Sequence, residues 1–169
     1  RRVLAVAPEN VEARRQLAIA LSELGRNDEA LAEFDTIVAA HPKNVTALDN
    51  RATLLVRMGR FEEALPTFNS VLTSAPAASS YKRRGFCLAS MGRIEDALAD
   101  YVRSVEADPR YVDGWLFRAE TEERLGRVED AKRSWRSGLA IRNWSHLPAD
   151  ARRKAHRRLW QLDHPGREI

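Results

Sequence analysis

A stretch of nineteen residues occurs twice in this chain with small changes, and the repetition limits how the chain can fold. MGRFEEALPTFNSVLTSAP begins at Met58, and MGRIEDALADYVRSVEADP begins at Met91. A proline, a glycine, an alanine and an aromatic residue recur through the chain at steps of 33 or 34 residues. They are Pro8, Pro42, Pro76 and Pro109; Gly25, Gly59, Gly92 and Gly126; Ala30, Ala64, Ala97 and Ala131; and Phe34, Phe68, Tyr101 and Trp135. A fixed period of this length predicts a stack of similar units.

Each period has the pattern of two helices joined by a tight turn. Apolar or small residues three or four positions apart, such as Leu48, Ala52 and Leu55, predict an amphipathic first helix. The glycine that follows suits the left-handed conformation in which many helices end. Acidic pairs such as Glu62 and Glu63 then begin a second helix, where the helix dipole favours negative charge. The small residue of the first helix and the alanine of the second are expected to let the two helices approach closely.

This combination of a small residue, glycine, alanine, an aromatic residue and proline resembles the tetratricopeptide repeat (TPR) in its bacterial form. The resemblance implies an all-α fold, a right-handed α-solenoid of tandem helix-turn-helix repeats with a C-terminal capping helix. We assign the repeats to residues 11–44, 45–77, 78–111 and 112–145. The tail of an earlier repeat is expected at 1–10, and the capping helix with its tail at 146–169.

The second repeat departs from the pattern in two ways. Pro66 falls inside its second helix, where it removes a backbone donor and is expected to kink the helix. The repeat is also one residue short, and the sequence APAASS replaces a firmer junction. We therefore expect local irregularity between the second and third repeats.

The composition is that of a folded chain with little sign of catalysis. Hydrophobic residues make up 44% and charged residues 31%, and no apolar run approaches the roughly 20 residues that span a bilayer. The single cysteine, Cys87, excludes an internal disulfide and a cysteine-based metal site, and is compatible with a cytoplasmic location. The four histidines lack metal-ligand spacing, and phosphate-loop motifs are absent. The sequence predicts a non-enzymatic protein without a cofactor.

The resemblance also implies a binding surface, because the first helices of TPR proteins line a concave groove. The predicted peptide-binding residues are Arg15, Gln16, Ile19, Asp49, Asn50, Thr53, Lys82, Arg83, Phe86, Leu116, Phe117 and Glu120. Some family members grip a peptide carboxylate with five Lys, Arg and Asn side chains. Arg15, Asn50 and Arg83 match three of those places, whereas Ile19 and Ser79 do not. Since guanidinium offers paired donors to a carboxylate, the predicted partner is a protein or extended peptide of acidic character.

Three arginines recur at a position where many family members carry leucine: Arg51, Arg84 and Arg118. They could form a ladder that binds a ligand. We favour a structural role instead, in which each stem packs along the helix pair and each head pairs with a neighbouring acid.

The net charge of +4 lies at the C-terminal end. From Arg142 onward there are seven basic and three acidic residues, so residues 1–141 hold 21 of each sign. Residues 147–162 predict an amphipathic helix whose apolar stripe is Ala151, Ala155, Leu159 and Leu162. We expect this helix to cap the array.

Two other functions stay open. The cluster Arg152, Arg153, Lys154, Arg157 and Arg158 could bind nucleic acid or an anionic surface, although we favour capping. The chain could also be the targeting arm of an enzyme domain outside this sequence. The sequence does not indicate an oligomeric state.

Overall fold

The computed structural model describes residues 10–167, and this part of the chain forms nine α-helices and no strand. They are α1 (Val11–Glu23), α2 (Asn27–Ala40), α3 (Val45–Arg57), α4 (Phe61–Ser74), α5 (Ala78–Ser90), α6 (Ile94–Ala107), α7 (Val112–Arg124), α8 (Val128–Ala140) and α9 (Ala151–Asp163). The first eight are the first and second helices of the four assigned repeats. The expected tail of an earlier repeat lies outside the described residues, apart from Asn10.

The chain divides into two units, residues 1–76 and 77–169. In the first unit α1 to α4 pack in order, each helix against the next. In the second unit α5 to α9 do the same, and α5 also contacts α7. The division falls at the short junction after Pro76, where the sequence predicts irregularity.

The start of the third repeat differs from the starts of the first two. The side chains of Asn10 and Asn44 cap α1 and α3 by accepting hydrogen bonds from the third backbone N–H that follows, at 2.9 and 3.0 Å. Ala77 occupies the corresponding position before α5 and has no side chain that can do this. Since an asparagine cap contributes about 1 kcal/mol, α5 begins without a stabilising contact that α1 and α3 possess.

A glycine in the left-handed conformation closes the turn of every repeat, as predicted. The φ angles of Gly25, Gly59, Gly92 and Gly126 lie between +71° and +79°. In the first repeat the Gly25 N–H donates to the Ser22 carbonyl at 3.1 Å, and the Arg26 N–H donates to the Leu21 carbonyl at 2.9 Å. This pair of bonds satisfies carbonyls that the helix end would otherwise leave without a partner.

The small residues at the predicted helix contacts are fully buried. Those with no exposed surface are Ala18, Ala30, Ala52, Ala64, Ala97, Ala119 and Ala131. The aromatic residues that follow the second-helix alanines are buried as well, with exposures of 2% for Phe34, 0% for Phe68, 1% for Tyr101 and 4% for Trp135. The core therefore repeats with the same period as the sequence.

Gly85 replaces the first-helix alanine in the third repeat, and the structure gives the reason. A Cβ atom added at Gly85 would lie 2.7 Å from Cε1 of Tyr101, which is closer than carbon atoms approach without a shift. Gly85 itself has an ordinary helical conformation within α5. The missing side chain therefore makes room for the tyrosine ring.

Two expectations about local structure are refined. Helix α4 continues through Pro66 without interruption, and Pro66 is exposed. The predicted start of the C-terminal helix at residue 147 was wrong. Helix α9 begins at Ala151, four residues later. The preceding residues form turns instead, since the N–H of Leu147 donates to the Trp144 carbonyl and that of Ala151 to the Pro148 carbonyl.

The apolar stripe of α9 packs as predicted. Ala155 is 2% exposed and joins a core cluster with Ala119, Ala131, Trp135 and Leu139. Leu159 and Leu162 are partly buried against the same cluster. Helix α9 packs mainly on α8 and covers apolar surface of the last repeat.

Replacing Gly85 with alanine tests the fit of the third repeat. Overpacking of a core typically costs about 1–3 kcal/mol, so we expect Gly85→Ala to lower the free energy of unfolding by that amount in urea denaturation. The control is Gly85→Ala combined with Tyr101→Leu, which removes the ring. Relative to Tyr101→Leu alone, the added alanine should then stabilise by up to about 1 kcal/mol through helix propensity. An equal loss in both backgrounds would contradict the assigned contact.

Candidate functional site

The predicted groove residues of α1 are largely occupied by a partner on the same helix. Nε and Nη2 of Arg15 donate to the Glu12 carboxylate at 2.9 and 2.6 Å, and Nε2 of Gln16 donates to it at 2.8 Å. These bonds lower the pKa of Glu12 and raise that of Arg15. Arg15 therefore presents a paired charge rather than an open cation.

On α3 the predicted residues Asp49, Asn50 and Thr53 are half-buried. Asn50, Thr53 and Ile19 of α1 line a cavity of about 140 Å³ within the first unit. Arg57 and Ser22 also line this cavity, and Nη1 of Arg57 donates a hydrogen bond to Oγ of Ser22 at 2.8 Å. The first unit therefore brings three of its six predicted residues together.

The side-chain amide nitrogen of Asn50 is buried and finds no hydrogen-bond acceptor among the described residues. A buried donor left in this state typically costs about 1–3 kcal/mol. A carbonyl or carboxylate oxygen supplied by a ligand would relieve that cost.

In the second unit, Lys82, Phe86 and Phe117 form a continuous surface, which we call the aromatic patch. The Phe86 ring is 41% exposed and meets the Phe117 ring edge-on, with centroids 6.1 Å apart. Phe117 packs below against buried Tyr101 at 5.5 Å. Nζ of Lys82 lies 5.4 Å from the Phe117 ring centroid, a favourable position for a cation over an aromatic face.

The charges around the aromatic patch are close to one another. Partial burial lowers the pKa of Lys82, and the charge of neighbouring Arg83 acts in the same direction, while Asp113 opposes both. Arg83 is half-buried on α5. The patch therefore combines exposed apolar surface with two adjacent cations.

Leu116 and Glu120, the remaining predicted residues, lie in a different place. They line an open pocket of about 650 Å³ between α7 and α9, which we call the α7–α9 pocket. Its other lining residues are Glu123, Arg124, Trp135, Ala151, Lys154, Ala155, Arg157, Arg158 and Gln161. Partial loss of solvation raises the pKa of the Glu120 carboxyl, and the nearby Glu123 charge adds to the effect.

Glu123, Arg124 and α9 also contribute to this pocket, and none of them is among the groove residues predicted from the sequence. Glu123 and Arg124 follow Leu116 by seven and eight positions, so helical spacing places them on the same face of α7. That signal was present in the sequence. The sequence carries no comparable signal for the approach of α9 to this face, because that approach depends on packing between segments about thirty residues apart.

The three recurring arginines have the structural role that the sequence analysis favoured. Arg51 donates to Asp35 at 2.6 Å, and Arg84 grips buried Asp100 with two bonds of 2.7 and 2.6 Å. Arg118 donates to buried Glu122 at 2.8 Å. Their charges are directed to neighbouring acids, so the prediction is confirmed and a ligand-binding ladder is not supported.

Several basic side chains of α9 also form hydrogen bonds or ion pairs with other residues of the chain. Arg152 donates to the Leu139 carbonyl at 3.2 Å and lies over the Trp144 ring. Lys154 pairs with Asp150 at 2.6 Å. Nε of Arg158 donates to Glu123 at 2.6 Å. Three of the five basic residues therefore already have internal partners.

Residues 10–167 contain neither a helix suited to cross a membrane nor a side-chain cluster suited to hold a metal ion. None of the helices in this part is both long enough and apolar enough to cross a membrane. No group of three or more His, Cys, Asp and Glu side chains in the same part is arranged to hold a metal ion.

Stacked helical hairpins with a buried small-residue core define an all-α helical-repeat protein, a class that generally works as an interaction scaffold. Models of the tetratricopeptide repeat match residues 1–50, 45–77 and 88–135. The chain belongs to the tetratricopeptide repeat family. It is also 33% identical over 64 residues to the uncharacterized protein MJ0572 of Methanocaldococcus jannaschii, a stretch that is 38% of this chain and 74% of that protein.

Solved structures share the fold at low sequence identity. MamA from Desulfovibrio magneticus RS-1 is 21% identical with a TM-score of 0.73, covering 78% of this chain and 75% of that one. A tetratricopeptide repeat protein from Parabacteroides merdae is 23% identical with a TM-score of 0.75, covering 95% and 62%. YrrB, described as a TPR protein with an unusual peptide-binding site, is 17% identical with a TM-score of 0.70, covering 82% and 72%.

Replacing Glu120 with glutamine tests the electrostatics of the pocket. Because the folded state raises the pKa of this carboxyl, its ionised form opposes folding at neutral pH, and the opposition fades as the pH falls through the raised pKa. We expect Glu120→Gln to be more stable than the unmodified chain at about pH 7, with the difference shrinking towards about pH 4. Urea denaturation at both pH values measures it.

The matched control for this substitution is Glu106→Gln, which changes an exposed carboxylate on α6 outside the pocket. It corrects for the general loss of one negative charge. A stability difference for Glu120→Gln that is absent at neutral pH, or that grows on acidification, would contradict the assigned environment.

Proposed function

We propose that this protein is a non-catalytic scaffold that binds an extended segment of a partner protein on the faces of its first helices. The observation that carries the proposal is the aromatic patch on α5 and α7. Peptide binding is described for YrrB, which shares the fold, and this agrees with the proposal.

Exposed aromatic surface is the strongest argument. In the described part of the chain three large hydrophobic residues are exposed: Leu24, Phe86 and Val128. Among these, Phe86 contacts a second aromatic ring and lies on a face predicted to bind. Paired aromatic side chains at the surface are typical anchors of protein interfaces, because burying each removes a large apolar area from water.

The charge next to the aromatic patch favours an acidic partner. Lys82 and Arg83 lie on α5 one helical turn before Phe86, and a carboxylate bound near Lys82 would restore the solvation that this residue loses by partial burial. In the first unit the buried amide nitrogen of Asn50 would donate a hydrogen bond to a carbonyl or carboxylate oxygen of the partner. Each feature, taken within its own unit, suits an extended peptide whose backbone and acidic side chains supply oxygen atoms.

The five-residue carboxylate grip known from some relatives has weaker support than general peptide binding. Arg15, one of its three matching residues, is already paired with Glu12. Nucleic-acid binding through α9 stays a prediction, although internal partners take up Arg152, Lys154 and Arg158. The targeting-arm hypothesis also stays a prediction.

Replacing Phe86 with serine tests the proposed function. Peptides from a displayed random library would be selected on the unmodified protein and then measured against Phe86→Ser. We expect affinity to fall at least about tenfold, which corresponds to about 1.4 kcal/mol, because the variant loses its apolar anchor. Fluorescence anisotropy with a labelled selected peptide gives the affinities.

Val128→Ser is the matched control, since Val128 has the same 41% exposure as Phe86 but lies on α8, a second helix. This variant should keep full affinity. The proposal fails if the library yields no binding peptide, or if the two serine variants lose affinity equally.

A further inference from the structure

We propose that the α7–α9 pocket is a separate subsite that receives an apolar side chain of the partner together with an adjacent carboxylate. This inference deepens the proposed peptide-binding function and rests on it. It adds the capping helix to the binding surface and names the chemistry of the segment that enters the pocket.

The packing of α9 leaves an apolar floor open. Helix α9 packs mainly on α8, and its small residues Ala151 and Ala155 face the pocket that separates it from α7. Leu116, half-buried, completes this floor together with Trp135. A volume of about 650 Å³ lies within the range of about 300–1,000 Å³ that is usual for ligand pockets. An apolar side chain of a partner fits such a floor.

One wall of the pocket is held in place by internal bonds. The Glu123 carboxylate accepts a hydrogen bond from Nε1 of Trp135 at 2.7 Å and another from Nε of Arg158 at 2.6 Å. These bonds join α7, α8 and α9 around one largely buried acid, whose side chain is 11% exposed. Glu123 and Arg158 are therefore neutralised by each other and define the shape of the pocket.

Two cations of the pocket remain without a carboxylate partner. Neither Arg124 on α7 nor Arg157 on α9 makes an ion pair within the described part of the chain. They lie on opposite walls, so a carboxylate that enters between these walls meets guanidinium groups from both helices. Guanidinium binds carboxylate through two parallel hydrogen bonds, which gives geometric selectivity as well as energy.

Glu120 affects which anions can bind in the α7–α9 pocket. Its carboxylate adds negative charge to the α7 wall and disfavours a polyanion such as nucleic acid. It can instead accept a hydrogen bond from a backbone N–H of a peptide. An apolar side chain, one or two carboxylates and a backbone N–H together describe a short acidic-apolar peptide segment.

The test uses three capped tripeptides as probes, glutamyl-leucyl-glutamate, glutaminyl-leucyl-glutamine and lysyl-leucyl-lysine, titrated into the ¹⁵N-labelled full chain. We expect the acidic tripeptide to shift the assigned indole N–H signal of Trp135 and the amide signals of α9, with a Kd of about 1 mM, typical of so small a ligand. The glutamine tripeptide should bind more weakly, and the lysine tripeptide should leave these signals unchanged.

Arg157→Ala should weaken the acidic tripeptide at least tenfold. Arg153→Ala is the control, because Arg153 is exposed on the same helix but does not line the pocket. Both residues lie at the surface, and an otherwise unchanged spectrum shows that each variant is folded. The inference is overturned if the Trp135 signal does not move, if the lysine tripeptide moves it equally, or if Arg157→Ala binds as well as Arg153→Ala.

Failure of this inference can be told from failure of the proposed function. The Phe86→Ser variant leaves the pocket intact, so it should still bind the acidic tripeptide with unchanged affinity. If Phe86→Ser loses affinity for the library peptides and the acidic tripeptide does not move the Trp135 signal, the aromatic patch is supported and the pocket is rejected. If Phe86→Ser keeps its affinity for the library peptides and the acidic tripeptide moves the Trp135 signal, the aromatic patch is rejected and the pocket is supported.

Discussion

The close packing of two helices through small residues is the contact on which the other features of each repeat depend. Ala52 and Ala64 in the second repeat, and Ala119 and Ala131 in the fourth, have no exposed surface. Each pair leaves room for helices to approach without bulky side chains between them, and the aromatic residue that follows fills the space towards the next helices. Because this packing uses one side of every first helix, the other side is left available for polar or aromatic residues that bind.

The repeats share this packing but differ in the small residue at the helix contact and in the partner of the recurring arginine. In the third repeat the small residue is Gly85, since the ring of Tyr101 needs the space of a Cβ atom. The acid that receives the recurring arginine also changes: Arg84 pairs with an acid on the second helix of its own repeat, and Arg118 with one on its own helix. The surface positions vary more freely than these buried ones, and the proposed binding function depends on them.

Much of the fold could be predicted from the sequence, because the signals that determine it are local and repeated. Glycines such as Gly59 mark the helix ends through a left-handed conformation that other residues rarely adopt. The start of α9 was predicted too early, since the turns around Pro148 depend on backbone hydrogen bonds that the apolar stripe does not reveal.

The candidate site was less predictable, because side-chain partners matter more there than helix faces. The groove positions implied by the family resemblance include Phe86 and Phe117, and these two rings do lie on one surface. The resemblance did not show that Glu12 would occupy Arg15, or that Leu116 and Glu120 would share a pocket with α9. These outcomes depend on rotamer choice and on packing between distant segments, neither of which has a periodic signature.

We propose that the first helices bind the partner while the second helices stabilise the fold. Amide hydrogen exchange, measured with and without a peptide selected on the unmodified protein, tests it most directly. We expect slower exchange on binding in residues 78–90 and 112–124, which form α5 and α7. Slower exchange confined to residues 94–107 and 128–140, the second helices α6 and α8, would contradict it.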